Sequence, residues 1–340
     1  MRSTMTAVFV LAGLLMSTRA WTAVPAMSAV PDVSLEQLLL PQKRGWLGAD
    51  VDTSIPLTES RLLWLFGDTI VGTLTDQGAR KGTMVRNSIG IQDLVGDSSA
   101  AVQFYWDMRD NVPGSFFMAP NYDLDFCYWP CSGLMVDDEL FVFCYKVVDG
   151  GGGVGAFAFK VVGTILIRVA NPLESPRQWV TTVTELPFGG EHQGFCSAVI
   201  QLDNFVYLIG FDDGVVASAQ TRQAVLARIR VDDLKSNPTE GHFQYWVKSD
   251  RDEGQWSLDK SSLRPILPHG FAEGTVYFDN SLNAFVMPIQ TFFSSDISIV
   301  TAPTLTGPWS EPVKVYEVPE TRDQRGIFAY AIKGHPQLSQ

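Results

Sequence analysis

The chain has little charge, and least of all positive charge. Charged residues make up 18% of its 340 positions, and 25 Lys+Arg stand against 37 Asp+Glu, a formal net charge of −12. A nucleic-acid binder needs a basic footprint, so that class is excluded. Histidine is scarce: His192, His242, His269 and His335 are the full set, and no two lie at metal-ligand spacing. No Gly-x-Ser-x-Gly elbow occurs, which removes the usual serine-hydrolase signature. No Asn-x-Ser/Thr glycosylation acceptor is present, because Asn237 is followed by Pro238. Long apolar runs are missing too. Met5 to Met16 gives 12 such residues where crossing a bilayer takes about 20.

That short run has another meaning. Arg2 precedes it, and Thr18-Arg19-Ala20 offers a small-x-small cleavage site before Trp21. Residues 1–26 are therefore predicted to be a secretory signal peptide and processing region, leaving a secreted chain with no membrane attachment. There are four cysteines, Cys127, Cys131, Cys144 and Cys196. They allow three full disulfide pairings, with Cys127/Cys131 and Cys131/Cys144 as the local candidates because they flank one hairpin. Their spacing lacks the paired C-x2-C pattern of zinc sites. The acidic turns Asp212-Asp213 and Asp137-Asp138-Glu139 complete no calcium loop. No metal and no cofactor are expected. The glycine run within Asp149–Gly155 lacks the Lys-Ser/Thr ending of a phosphate loop and reads as a flexible connection.

What the chain does have is 46% hydrophobic and 11% aromatic residues with 29 Gly and 19 Pro, the composition of many short strands joined by tight turns. Four segments repeat one pattern, in which a small or hydroxyl residue opens an apolar strand, a turn follows, and an aromatic-rich strand returns. They begin at Ser54, Ser132, Ser197 and Thr275, spaced 78, 65 and 78 residues apart, with a possible fifth start at Lys333-Gly-His-Pro-Gln-Leu-Ser339. Each reads as a hairpin. Runs such as Ala224–Val231 and Ile297–Ala302 supply further strands. Helical signal is confined to Ser34–Leu40. The expected fold is all-β: a five-bladed β-propeller with four-stranded antiparallel blades, one domain over 27–340 whose last blade has barely begun at Gln340. First strands of blades line a central funnel, which gathers Asp50, Ser132, Glu191, His192, Glu273 and His335. Asp68, in Phe66-Gly-Asp-Thr69, reads as a turn cap.

Gly48-Ala-Asp-Val-Asp-Thr-Ser-Ile-Pro-Leu57, Leu63–Thr69, Asn87–Ile91, Trp129-Pro-x-x-Gly133, Ala272–Val276, Thr306–Ser310 and Tyr330–Ser339 together resemble the secreted family called domain of unknown function 4185. A wider resemblance links the chain to five-bladed glycoside hydrolases of the arabinanase and β-xylosidase type. That resemblance implies carboxylates at first strands: Asp50 in the place of the general base, and Glu273 as the candidate general acid beside Phe271 and Tyr277. One departure stands out. The lookalike pattern tends to carry Asp where Trp129-Pro-Cys-Ser-Gly133 has Ser132, and a hydroxyl cannot supply that charge. Trp129 is the candidate sugar-stacking platform, with Ser132, Glu191, His192 and His335 the remaining substrate contacts. Two functions follow: a monomeric secreted enzyme cleaving a glycosidic bond, or a non-catalytic propeller binding a glycan or protein through the same funnel.

Overall fold

Runs such as Leu62–Phe66 and Leu140–Tyr145 are apolar on both faces, and they are buried from end to end, as strands enclosed between two neighbouring sheets must be. The computed structural model describes residues 27–340 apart from 96–97, 100, 120–124, 151–157, 190–191, 215–221, 252, 292–293, 323–326 and 339–340. The expected signal segment, Glu191 and most of the glycine run lie outside the described residues.

Four antiparallel sheets follow the four repeats. The first contains Thr53–Thr58, Arg61–Phe66 and Ser88–Val95, extended by Ser98–Ser99 and Gln103–Tyr105. The second runs Cys127–Val136, Glu139–Asp149, Phe159–Val169, Thr181–Leu186. The third runs Gln193–Leu202, Phe205–Asp212, Gln223–Arg230, Phe243–Lys248, with Gly254–Ser257 added outside. The fourth runs Tyr277–Asp279, Ala284–Ile289, Asp296–Ala302, Val313–Glu317. The fold is all-β. A three-stranded sheet of Arg44–Ala49, Thr69–Leu74 and Arg80–Val85 stands outside the repeat and was not anticipated. The helical signal near Ser34 is realised as one turn, Val33–Glu36.

Apolar layers fill the spaces between consecutive sheets. Ile55, Leu63, Val142 and Ile165 pack between the first and second. Phe141, Phe143, Phe195 and Leu208 pack between the second and third, and Ile209, Leu226, Met287 and Val300 between the third and fourth. Each such side chain contributes about 1.5–3 kcal/mol by leaving water.

A hydroxyl at or beside the opening of each repeat has a structural use. Thr53 Oγ1 donates to Cys131 O at 2.9 Å, Ser132 Oγ to Cys196 O at 2.8 Å, and Ser197 Oγ to Phe271 O at 2.7 Å. Short side chains thus bridge the first inner strand to the second, the second to the third, and the third to the segment leading into the fourth, and among the described residues no ladder joins them. The C-terminal segment bonds to both the fourth repeat and the first. Gly334 N donates to Thr275 Oγ1 at 3.2 Å, while His335 Nδ1 shares a 2.7 Å hydrogen bond with Ser54 Oγ. The possible fifth start therefore lies between the fourth sheet and the first. It carries no strand among the described residues, only the turn Pro336–Leu338. Ser132→Ala should lower stability by about 1–3 kcal/mol, because it strands a buried carbonyl; a thermal melt checks this, and an unchanged midpoint would remove the bridging role.

The local disulfide candidates do not fit this geometry. Cys127 and Cys131 lie four residues apart on one strand, roughly 13 Å at strand rise, beyond the about 7 Å that a bridge spans. Cys131 and Cys144 belong to apolar layers on opposite faces of the second sheet. All four cysteines are free, and Cys131 faces Cys196 instead.

Candidate active site

Two of the acidic groups come from one strained turn. Asp52 N donates to Asp50 O at 3.1 Å across Val51, whose φ is 76°, and Asp52 follows at 39°. This is the rare form of the γ-turn, and a β-branched residue at positive φ is a genuine outlier of the kind that collects at functional sites. A second turn locks it: Asp50 N donates to Asp68 O at 3.3 Å and Gly67 N to Asp50 O at 3.0 Å. Gly67 is required, since a Cβ there would strike Asp50 Oδ1 and the Val51 side chain.

From the C-terminal segment Tyr330 donates its hydroxyl to Asp50 Oδ2 at 2.8 Å. Burial holds the Asp50 carboxyl above the ordinary aspartate value although that hydrogen bond pulls the other way. Asp52 is pushed up to about 7, by burial first, with the Glu273 and Asp50 charges adding and Lys333 opposing. Glu273 precedes the inner strand of the fourth sheet, and its Oε2 lies 3.7 Å from Lys333 Nζ. The Lys333 side chain is 1% exposed and that of Glu273 18%, and neither of these two atoms has a hydrogen-bond partner. Burial raises the Glu273 carboxyl; Lys333 opposes this and Asp50 reinforces it. Three carboxylates from two parts of the chain thus share one field around one buried ammonium, and a fourth adjoins them.

Asp68 is the fourth, and it is more than a turn cap. Its Oδ1 accepts from Trp129 Nε1 at 3.0 Å and its Oδ2 from Arg86 Nη1 at 3.3 Å. Burial brings its carboxyl up to about 6, against Arg86 and with Asp50. Arg86 Nη2 also donates to both carboxylate oxygens of Asp149, at 2.7 and 2.6 Å. Trp129 stands edge-on to Phe159 at 4.6 Å between centroids, half-buried beside the cluster.

The other sequence candidates divide. Ser132 is 3% exposed and its hydroxyl is committed to Cys196 O. His335 tilts against Trp64 at 5.0 Å and bonds Ser54, while Gln337 Nε2 donates to Ser54 O at 2.8 Å and also bonds Ser54 Oγ. Burial, helped by Lys333, lowers the imidazole to about 4, so it is neutral at pH 7. His192 is exposed in the bend before the third sheet, and its carbonyl accepts from Asp213 N. Asp213 itself holds Arg222 at 2.7 and 2.9 Å, and Asp212 caps Gly214. Among the described residues no group of three or more His, Cys, Asp or Glu is arranged to hold a metal ion. Sequence reasoning missed Asp52, Arg86, Tyr330 and Lys333, and undervalued Asp68. The doubled acidic pattern Asp50-Val-Asp52 and the motif beginning at Tyr330 were the available signals.

The raised carboxyls give a pH prediction. A group whose value rises on folding adds stability that is fully present below its ordinary value near 3.8, falls away as pH rises, and is gone above its folded value, about 7 for Asp52. Asp52→Asn, which never ionises, should melt several degrees higher relative to the parent at pH 8 than at pH 5. A difference that does not change with pH would show that Asp52 is not held protonated.

Residues 34–340 match the family described as Domain of unknown function (DUF5005). The chain belongs to that family. The resemblance to domain of unknown function 4185 is thereby corrected. The motifs behind it include Asp50–Ser54, Ser132-Gly133 and Thr275, several of which are held by turn and inter-sheet hydrogen bonds of this fold. No curated protein matches this DUF5005 chain. A candidate hydrolase from Bacteroides ovatus ATCC 8483 is 18% identical, with a TM-score of 0.70 over 91% of this chain and 80% of that one, and shares its fold. A GH43_1 enzyme from Xanthomonas citri gives 12% and 0.45 over 82% of this chain and 78% of that one. An α-L-arabinanase from Cellvibrio cellulosa, complexed with arabinohexaose, gives 9% and 0.40 over 82% and 79%.

Proposed function

We propose that this DUF5005 protein is a secreted, monomeric carbohydrate-active protein of the glycoside-hydrolase kind. In this reading the four sheets and the C-terminal segment form a five-bladed propeller around one funnel, and residues 27–340 are a single domain. The observation that carries the reading is the cluster of Asp50, Asp52 and Glu273 around Lys333, with Asp68 beside Asp50 on Arg86. Hydrolysis of a glycosidic bond needs one carboxylate to take a proton from water and one carboxyl to give a proton to the leaving oxygen. Mutually repelling, partly desolvated carboxyls keep at least one proton among them near neutral pH. Asp50, held by Tyr330 and open to the funnel, acts as the base. Glu273 acts as the acid, and Asp52, Asp68 and Lys333 set the charge that both feel. Trp129, positioned by its bond to Asp68, offers a face for a sugar ring, and the exposed His192 is a further candidate contact. Ser132 and His335 support the frame behind it.

One observation favours the rival, a glycan-binding funnel without catalysis: the ammonium 3.7 Å from Glu273 stabilises its ionised form. Reducing-sugar release from a panel of plant, algal and microbial polysaccharides, by the parent and by Glu273→Gln, separates the two. Release lost in the variant supports the enzyme. A parent that releases nothing yet melts higher with one of the glycans supports the binding funnel.

A further inference from the structure

We propose that Cys131 and Cys196 close a disulfide that staples the inner strands of the second and third sheets. The inference rests on the secreted location proposed above, and not on the glycan or the catalytic roles. The two sulfurs lie 3.0 Å apart, in contact, and within about 1 Å of the bonded length of about 2.04 Å. Cys131 is 1% exposed and Cys196 0%, so each thiol sees the other and no solvent. The backbones that carry them are already clamped together: Ser132 Oγ bonds Cys196 O at 2.8 Å, and Thr53 Oγ1 holds Cys131 O at 2.9 Å. Closure therefore asks for a side-chain adjustment with no rearrangement of strands. The other two cysteines are set apart, Cys144 in the layer on the opposite face and Cys127 four residues upstream of Cys131.

The bond joins positions 65 residues apart, tying the second sheet to the start of the third within the field of Glu273 and Lys333. Burial raises the Cys131 thiol well above its ordinary value, so the thiolate needed for exchange is missing once the sheets have closed. The bond must form before burial, with a disulfide such as oxidised glutathione as oxidant. One cysteine thiolate attacks a glutathione sulfur and expels a glutathione thiolate; the second attacks the mixed disulfide and expels another. Two cysteine thiols and one oxidised glutathione thus give one protein disulfide and two glutathione thiols.

The test uses the full chain, refolded from denaturant in a glutathione redox buffer, alkylated under denaturing non-reducing conditions and mapped by mass spectrometry. Trypsin leaves Cys127, Cys131 and Cys144 on one fragment, so chymotryptic cleavage after Tyr128 and Phe143 is needed to separate them. The expected map links Cys131 to Cys196 and alkylates Cys127 and Cys144. Four alkylated cysteines, or any other linked pair, overturns the proposal. Refolding with dithiothreitol present should give a Tm roughly 5–10 °C lower than the oxidised chain, given the length of the closed loop. Equal midpoints would overturn the staple.

Discussion

Asp50→Asn should lower kcat on a responsive glycan by about 100- to 10,000-fold, the range typical of removing a general base, with KM little changed. The amide oxygen still accepts from Tyr330, and the turn through Val51 depends on backbone groups that the substitution leaves alone. Shape and binding are therefore kept while the proton acceptor is lost. Tyr330→Phe gives a second handle on the same group. The phenol lowers the Asp50 value, so its removal should move the acid limb of the pH–rate profile upward. A base that is further protonated at a given pH works only at a higher one. If Asp50→Asn retains full kcat, Asp50 is a turn residue and the hydrolase reading loses its base; if only KM rises, Asp50 binds substrate without acting on it.

The repeat was legible because hydrophobic alternation and turn residues are local properties, and local properties decide where strands begin and end. Its hydroxyl openings at Ser132, Ser197 and Thr275 were visible as a pattern, although their use became clear only when neighbouring inner strands were seen to approach without pairing. The sheet Arg44–Ala49, Thr69–Leu74 and Arg80–Val85 escaped because its strands interleave with those of the first sheet, and sequence order does not reveal which partner a strand selects. At the site, Asp50 and Glu273 were found from their place at strand starts. Lys333 was not, because a lone lysine near the end of the sequence reads as solvated. Only the bonds of the C-terminal segment to Thr275 and Ser54 hold it, from the far end of the chain, beside Glu273. Asp68 was read as a cap for a similar reason, since its partners Trp129 and Arg86 stand 61 and 18 positions away.

Lys333→Met should be the most damaging single change to stability, costing roughly 3–5 kcal/mol at pH 8. Its ammonium is the cation that lowers the carboxyls of Asp52 and Glu273, and it acts on Asp50 too. Without it, burial and mutual repulsion act unopposed and all three values rise further. The sign with pH follows from that. Below the ordinary carboxylate range the groups are protonated in folded and unfolded chains alike, and the missing ammonium costs little. As pH climbs, the unfolded chain ionises freely while the folded variant resists, so the deficit grows toward pH 8. Glu273→Gln strands the ammonium instead, and it should also destabilise, though less, because Asp50 and Asp52 remain near Lys333. Combining the two substitutions removes both partners of a pair whose hydrogen bonding is already incomplete, and should recover part of the loss. Thermal melts of the parent, both single variants and the double variant at pH 5 and pH 8 complete the cycle. A Lys333→Met chain that melts with the parent at pH 8 would mean that the ammonium does not govern the cluster. Additive losses in the double variant would mean that Glu273 and Lys333 act independently despite their 3.7 Å separation.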